Sequence, residues 1–306
     1  MNKEVFAKIP NKLFSIKTID ENTENINYDN KGSILKLVKD DKVIKLIYEL
    51  IVGTNFRNIC NTSINDLIKL CGYKVNDKNI KSFKELLYKM DSKNIIHINN
   101  EFYRGNDLIS IDTENLFNMS EDGYTILEQK ELDIINNITK DSRQRNTLLK
   151  CYLFIKLMCH KREDNTSKGL AYTTEPQTIT MDYKYICKFT GVTDITKAIK
   201  TLQDNKLIIY SNFLIHKTGQ AENKQDAKNT YAVYALEENW DEKLTKEELK
   251  VGINQYKEKL KEQGFIISLK YLNNDKSANG YLGKQKQIEN RNNKEIERIW
   301  LIKKYF

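Results

Sequence analysis

The residues best suited to chemistry in this chain are those that could meet a nucleic acid. Between Thr178 and Tyr210, Ile195, Ala198, Ile199 and Leu202 recur at helical spacing and define an apolar stripe. Thr193, Thr196, Lys197 and Lys200 fall on the opposite face. Lysine can contact guanine or phosphate and threonine can meet a thymine methyl, so such a face suits the major groove of DNA. An earlier stretch repeats the arrangement. Phe83, Leu87 and Met90 form its stripe, and Lys78, Asn79, Lys81, Ser82 and Lys89 are set apart from it as groove-reading residues. Asparagine can bridge adenine through its two-sided amide. Lys74 ahead of that helix, and Arg104, Lys217, Lys224 and Lys228 in the hairpins that follow the stripes, have the reach for phosphate or the minor groove.

Other chemistries lack their residues. No G-x-x-x-x-G-K-[ST] loop is present, and Gly280-Tyr281-Leu282-Gly283-Lys284-Gln285 has neither the spacing nor the hydroxyl to cradle a nucleotide. His97, His160 and His216 are far apart and form no H-x-H or H-x-x-x-H pair, which leaves metal-dependent strand nicking without a site. The 17 tyrosines offer no motif that marks one as a nucleophile. Cys60, Cys71, Cys151, Cys159 and Cys187 contain no C-x-x-C pair and read as reduced core residues. The expectation is a binding protein with no catalytic residue, metal or cofactor.

The elements that must position these faces come in two copies. In the later copy, Tyr183, Ile186, Cys187 and Phe189 outline a short helix that Thr190-Gly191 ends; the basic helix follows, then a β-prone run at Leu207–Tyr210. In the earlier copy, Ser63 to Ile98, Ile64 superposes on Tyr183, Leu67 on Ile186, Leu70 on Phe189, Cys71 on Thr190 and Gly72 on Gly191. After a shorter connector, Phe83 superposes on Ile195, Leu87 on Ile199, Met90 on Leu202 and Ile95 on Leu207. The order helix, turn, helix, strand is the outline of a winged helix-turn-helix, and the period is far longer than that of a solenoid repeat.

In chain order, residues 1–112 are expected to form the first such domain with an N-terminal strand at Val5–Ile9. Its first helix carries Val43, Leu46, Ile47 and Leu50 and ends at Gly53, and Ser63 with Asp66 makes a capping-box-like start to the next. Residues 113–140 read as an ordered connector with a strand at Tyr124–Leu127 and a helix at Glu128–Ile138. Residues 141–240 form the second domain, opened by the broadly apolar helix Arg143–His160; its hairpin strands, Phe213–His216 and Tyr231–Leu236, flank a long, lysine-bearing loop. Residues 241–306 form a basic helical C-terminal extension, with a helix at Asp241–Lys261, a β-prone Phe265–Leu272 and a terminal helix bearing Ile296, Trp300, Leu301 and Tyr305. The fold class is α+β, mainly helical.

Composition agrees with this outline. A chain of 306 residues suits two or three domains, and 40% hydrophobic residues suffice for their cores. The net charge of +8 favours a polyanionic partner. No apolar run approaches membrane-span length and the start lacks a signal-peptide core, so a cytoplasmic location with no membrane partner is expected.

Two winged helices in one chain, the opening Lys8-Ile9-Pro10-Asn11-Lys12-Leu13-Phe14, and the turns Cys71-Gly72-Tyr73 and Thr190-Gly191-Val192 resemble plasmid and phage replication initiators of the tandem winged-helix type. The resemblance covers roughly residues 40–236 and its motifs are patterns of class rather than invariant catalytic residues. It implies sequence-specific binding to repeated origin sites (iterons) in double-stranded DNA and recruitment of host helicase or initiator proteins, with one winged helix often serving homodimerisation. The long second hairpin and the chain beyond Asp241 depart from it. The same helices would equally serve a transcriptional regulator on an operator, or a helicase-loading scaffold that reads no sequence.

Overall fold

The computed structural model describes residues 5–19, 26–119, 123–160, 178–217, 223–234 and 242–268. About half of these are helical, and the remainder includes five small antiparallel sheets among the described residues. The fold is mixed α and β. The chain divides into two compact units, one of Met1–Ser211 with Lys228–Glu262 and one of Asn212–Ala227 with Gln263–Phe306.

The first unit opens with β1 (Phe6–Pro10), a 3-10 turn at Asn11–Leu13, and the antiparallel pair β2 (Ile16–Ile19) and β3 (Ile26–Asp29). After the short α1 (Ile34–Val38), α2 (Val43–Val52) is buried over most of its surface and closes at Gly53. There follow β4 (Ile59–Thr62), α3 (Ile64–Leu70), α4 (Asp77–Asp91), β5 (His97–Ile98) and β6 (Ile109–Asp112), the strands forming a sheet in the order β4-β6-β5. Phe83, Leu87 and Met90 are fully buried, as their spacing requires.

Next come α5 (Glu114–Asn118), β7 (Tyr124–Glu128) and α6 (Gln129–Ile138), whose first turn is closed by a capping box between Glu128 and Glu131. The N-terminal strand packs on α2 of the first domain, as expected, and also pairs here, with Ala7 opposite Leu127. A lone strand must find an edge for its N–H and C=O groups, and β7 supplies it. The long α7 (Ser142–His160) then runs with Tyr152, Leu153, Phe154 and Ile155 fully buried. Its Lys156 ammonium meets the buried Glu131 carboxylate at 2.5 Å, and the Tyr152 hydroxyl donates to the same carboxylate. A buried charge tolerated in this way needs both partners.

The second copy has the same plan: α7, β8 (Thr178–Met181), α8 (Tyr183–Thr190), α9 (Ile195–Asp204), β9 (Ile208–Ser211) and, later, β12 (Asn229–Val233), in the sheet order β8-β12-β9. The copies agree in fine detail. Ser63 Oγ accepts from Asp66 N at 3.1 Å and Asp182 Oδ1 from Tyr185 N at 2.7 Å, each capping the first helix of its pair. Gly72 and Gly191 have left-handed backbone, φ 76° and 70°. Each basic helix is followed by a left-handed residue, Asn94 or Lys206, after which Ile95 N donates to Met90 O and Leu207 N to Leu202 O, both at 3.0 Å.

Four expectations change. Leu70, aligned with the buried Phe189, is 54% exposed, because the stripe of α3 runs through Ile64, Leu67, Ile68 and Cys71. The C-terminal extension also begins as part of the first unit: α10 (Glu242–Glu262) lies against the β8-β12-β9 sheet with Leu249 and Leu260 buried, and Gly252 leaves room for Thr178. The second unit contains β10 (Leu214–Lys217), β11 (Gln225–Asp226) and β13 (Phe265–Ser268), in the order β11-β10-β13. The segment expected as a long loop thus contains a strand, and β10 pairs with β11 and β13 rather than with β12. The terminal helix expected around Trp300 lies outside the described residues.

All five cysteines are free. Burial pushes the thiols of Cys60, Cys71, Cys151 and Cys159 above their ordinary range, which makes them poor nucleophiles.

Candidate nucleic-acid interface

In the first copy the basic face runs along α4 from Lys78 to Lys89. Asn76 caps the helix by accepting from Asn79 N at 2.8 Å, which fixes the direction in which α4 leaves the turn. Lys78 and Lys81 are exposed, Ser82 and Lys89 are half-buried, and all four share one side of the helix with Glu85, opposite Phe83, Leu87 and Met90. Lys74 is exposed in the turn. Asn79 does not share that freedom. Its Nδ2 donates to Lys74 O at 2.7 Å, which fastens the turn to the helix.

The hairpin between β5 and β6 comes against the same end of the module. Lys84 Nζ on α4 donates to Tyr103 O and stands 5.6 Å from the centre of the Phe102 ring. Phe102 in turn stacks on Tyr88 at 5.3 Å. Arg104 is exposed at the tip. The Asp107 carboxylate accepts from Tyr103 N and Arg104 N, both at 2.7 Å, and these backbone donors hold it below the usual carboxylate range.

In the second copy Thr193, Thr196, Lys197 and Lys200 are exposed together, while Ile195, Ala198, Ile199 and Leu202 are buried. Here α9 has 10 residues against 15 in α4. The extra length of α4 lies at its N-terminus and carries Lys78, Lys81 and Ser82, which have no helical counterpart in α9. Lys228 is exposed just ahead of β12, and its backbone N–H donates to the Tyr256 hydroxyl at 3.4 Å. Lys217 and Lys224 are exposed in the second unit, on β10 and ahead of β11. In the first copy the hairpin touches the basic helix through Lys84 and Tyr88.

Among the described residues, Lys74, Lys78, Lys81, Arg104, Lys197 and Lys200 form no ion pair. Unlike Lys150, paired with Asp41, and Lys206, paired with Glu242, these cations are available to an outside anion. Among the described residues no group of three His, Cys, Asp or Glu could hold a metal ion, and no helix is long and apolar enough to cross a membrane. Sequence reasoning missed the exposed Tyr103 and Leu108 beside Arg104, 75% and 68% exposed. Their alternation in a short hairpin gave no sign of which face would be covered. No protein-family model and no curated protein sequence matches the chain.

Proposed function

We propose that this chain binds double-stranded DNA sequence-specifically through two winged helix-turn-helix modules and acts as a replication initiator at repeated origin sites. The observation that carries the DNA reading is the repeat. Helix, strand, helix, helix, strand, strand occurs twice with the same sheet order, and each copy turns a polar, basic helix face outward over a buried apolar stripe. A helix so presented fits the major groove, with the hairpin beside it reaching the backbone or the minor groove.

The initiator role follows from the resemblance of the Lys8–Phe14 opening and the two glycine turns to tandem winged-helix initiators. In that role the chain recruits host helicase or initiator proteins after binding and can form a homodimer. Footprinting on the DNA around its own gene tests both layers. Protected direct repeats in an A·T-rich region support initiation; a single palindrome over a promoter would instead make it a regulator; no protected site would overturn the DNA reading.

A further inference from the structure

The first hairpin is fastened to α3 through Asn65, as it is to α4 through Lys84 and Tyr88. Asn65, in the first turn of α3, donates its backbone N–H to Gly105 O at 2.9 Å, and its Nδ2 donates to Asn106 Oδ1. Asn65 Oδ1 is buried with no hydrogen-bond partner, and a Cβ added at Gly105 would overlap it. The same Cβ would stand 3.1 Å from Asn65 Cγ and 3.2 Å from Ile80 Cδ1. Gly105 is not among the left-handed glycines, so the site demands room rather than an unusual φ. The rest of the hairpin is stapled from within. Asn100 Nδ2 donates to Leu108 O at 2.9 Å and Asn100 Oδ1 accepts from Ser110 N at 2.7 Å, while Asp107 holds Tyr103 and Arg104.

The tip carries Arg104 near two exposed large side chains, Leu108 and Tyr103, whose hydroxyl donates to the Glu101 carboxylate. A phosphate contact gains nothing from apolar neighbours, whereas the sugar walls of the minor groove do. Resting on the DNA reading above, we propose that Asn65 and Gly105 are positioning residues. They lock the first hairpin to α3, so that Arg104 enters the minor groove beside the major-groove contact of α4, with Tyr103 and Leu108 packed on the sugars.

The test combines affinity with hydroxyl-radical and guanine-N7 footprints on the protected site. Arg104→Ala should lower affinity about tenfold and remove the adjacent minor-groove protection while N7 protection under α4 remains. Gly105→Ala should reproduce that pattern. In the Gly105→Ala background, Arg104→Ala should cost less than about twofold, because the arginine is already misplaced. Asn65→Ala adds no bulk and keeps the test decisive if Gly105→Ala does not fold: it too should blunt the effect of Arg104→Ala. Additive effects, or a Gly105→Ala chain that binds like wild type, would overturn the positioning role and leave the DNA reading standing. A wild-type chain that protects no DNA would remove both.

Discussion

At the scale of single residues, the free cations of α9 make the most direct prediction. Lys197 and Lys200 project away from the buried stripe, so Lys197→Ala/Lys200→Ala should leave the fold intact. It should weaken DNA binding and reduce the slope of log affinity against log salt by about two, one released counterion per lost contact. An unchanged slope, measured by titration at several salt concentrations, would take α9 out of the interface. A second residue bears on stability. Burial pushes the Glu49 carboxyl up from 4.5 to about 7, with the nearby Lys45 acting against the shift, and burial lowers the Lys45 ammonium as well. The folded chain therefore holds a proton on Glu49 that the unfolded chain releases near pH 4.5, and stability falls as pH rises from there to about 7. Glu49→Gln should flatten that part of the profile and add roughly 1 to 2 kcal/mol at pH 8, allowing for partial solvent screening. Denaturant midpoints at pH 5 and pH 8 would show whether the difference between them survives the substitution.

At the scale of elements, the two turn glycines should respond differently to alanine. Both have left-handed backbone, so each substitution costs about 1 kcal/mol or more from strain. A Cβ on Gly191 meets nothing within 4 Å, but one on Gly72 stands 3.2 Å from Lys45 Nζ and 3.6 Å from Arg145 Nη1. Gly72→Ala should therefore lower the melting temperature more than Gly191→Ala, and equal losses would mean that packing at the first turn is unimportant. These turns also mark how far the sequence could be read. Helix stripes, cap residues and turn glycines are local, and Phe83, Leu87, Ile199 and Gly72 behave as their spacing indicates. Some local details were not legible either: Leu70 faces solvent while Ile68 and Cys71 of the same helix fill the core, and Asn79 Nδ2 donates to Lys74 O. The pairing of β1 with β7, of β10 with β13, and the fit of Gly105 against Asn65 each join segments whose own patterns do not name a partner.

At the scale of the whole molecule, both modules lie within the first compact unit. The helix α7, which opens the second copy, is fastened to the first: Arg145 Nη2 donates to Gly72 O at 3.2 Å, Asn146 Nδ2 to the Tyr73 hydroxyl at 3.0 Å, and Lys150 Nζ meets Asp41 at 2.8 Å. Phe154, at the centre of α7, stacks on Phe189 at 5.2 Å and meets Phe14 edge-on at 5.5 Å. Modules joined in this way would offer a duplex two contacts at a fixed spacing rather than two independent ones. The central claim is that both contact DNA, through α4 and through α9. Hydroxyl-radical footprinting of wild type and of Lys78→Ala/Lys81→Ala/Lys89→Ala on one site tests it most directly. Wild type should protect two successive grooves about one helical turn apart, and the triple variant should lose one of them. An identical footprint from the two proteins would contradict it, leaving the second module as the sole reader.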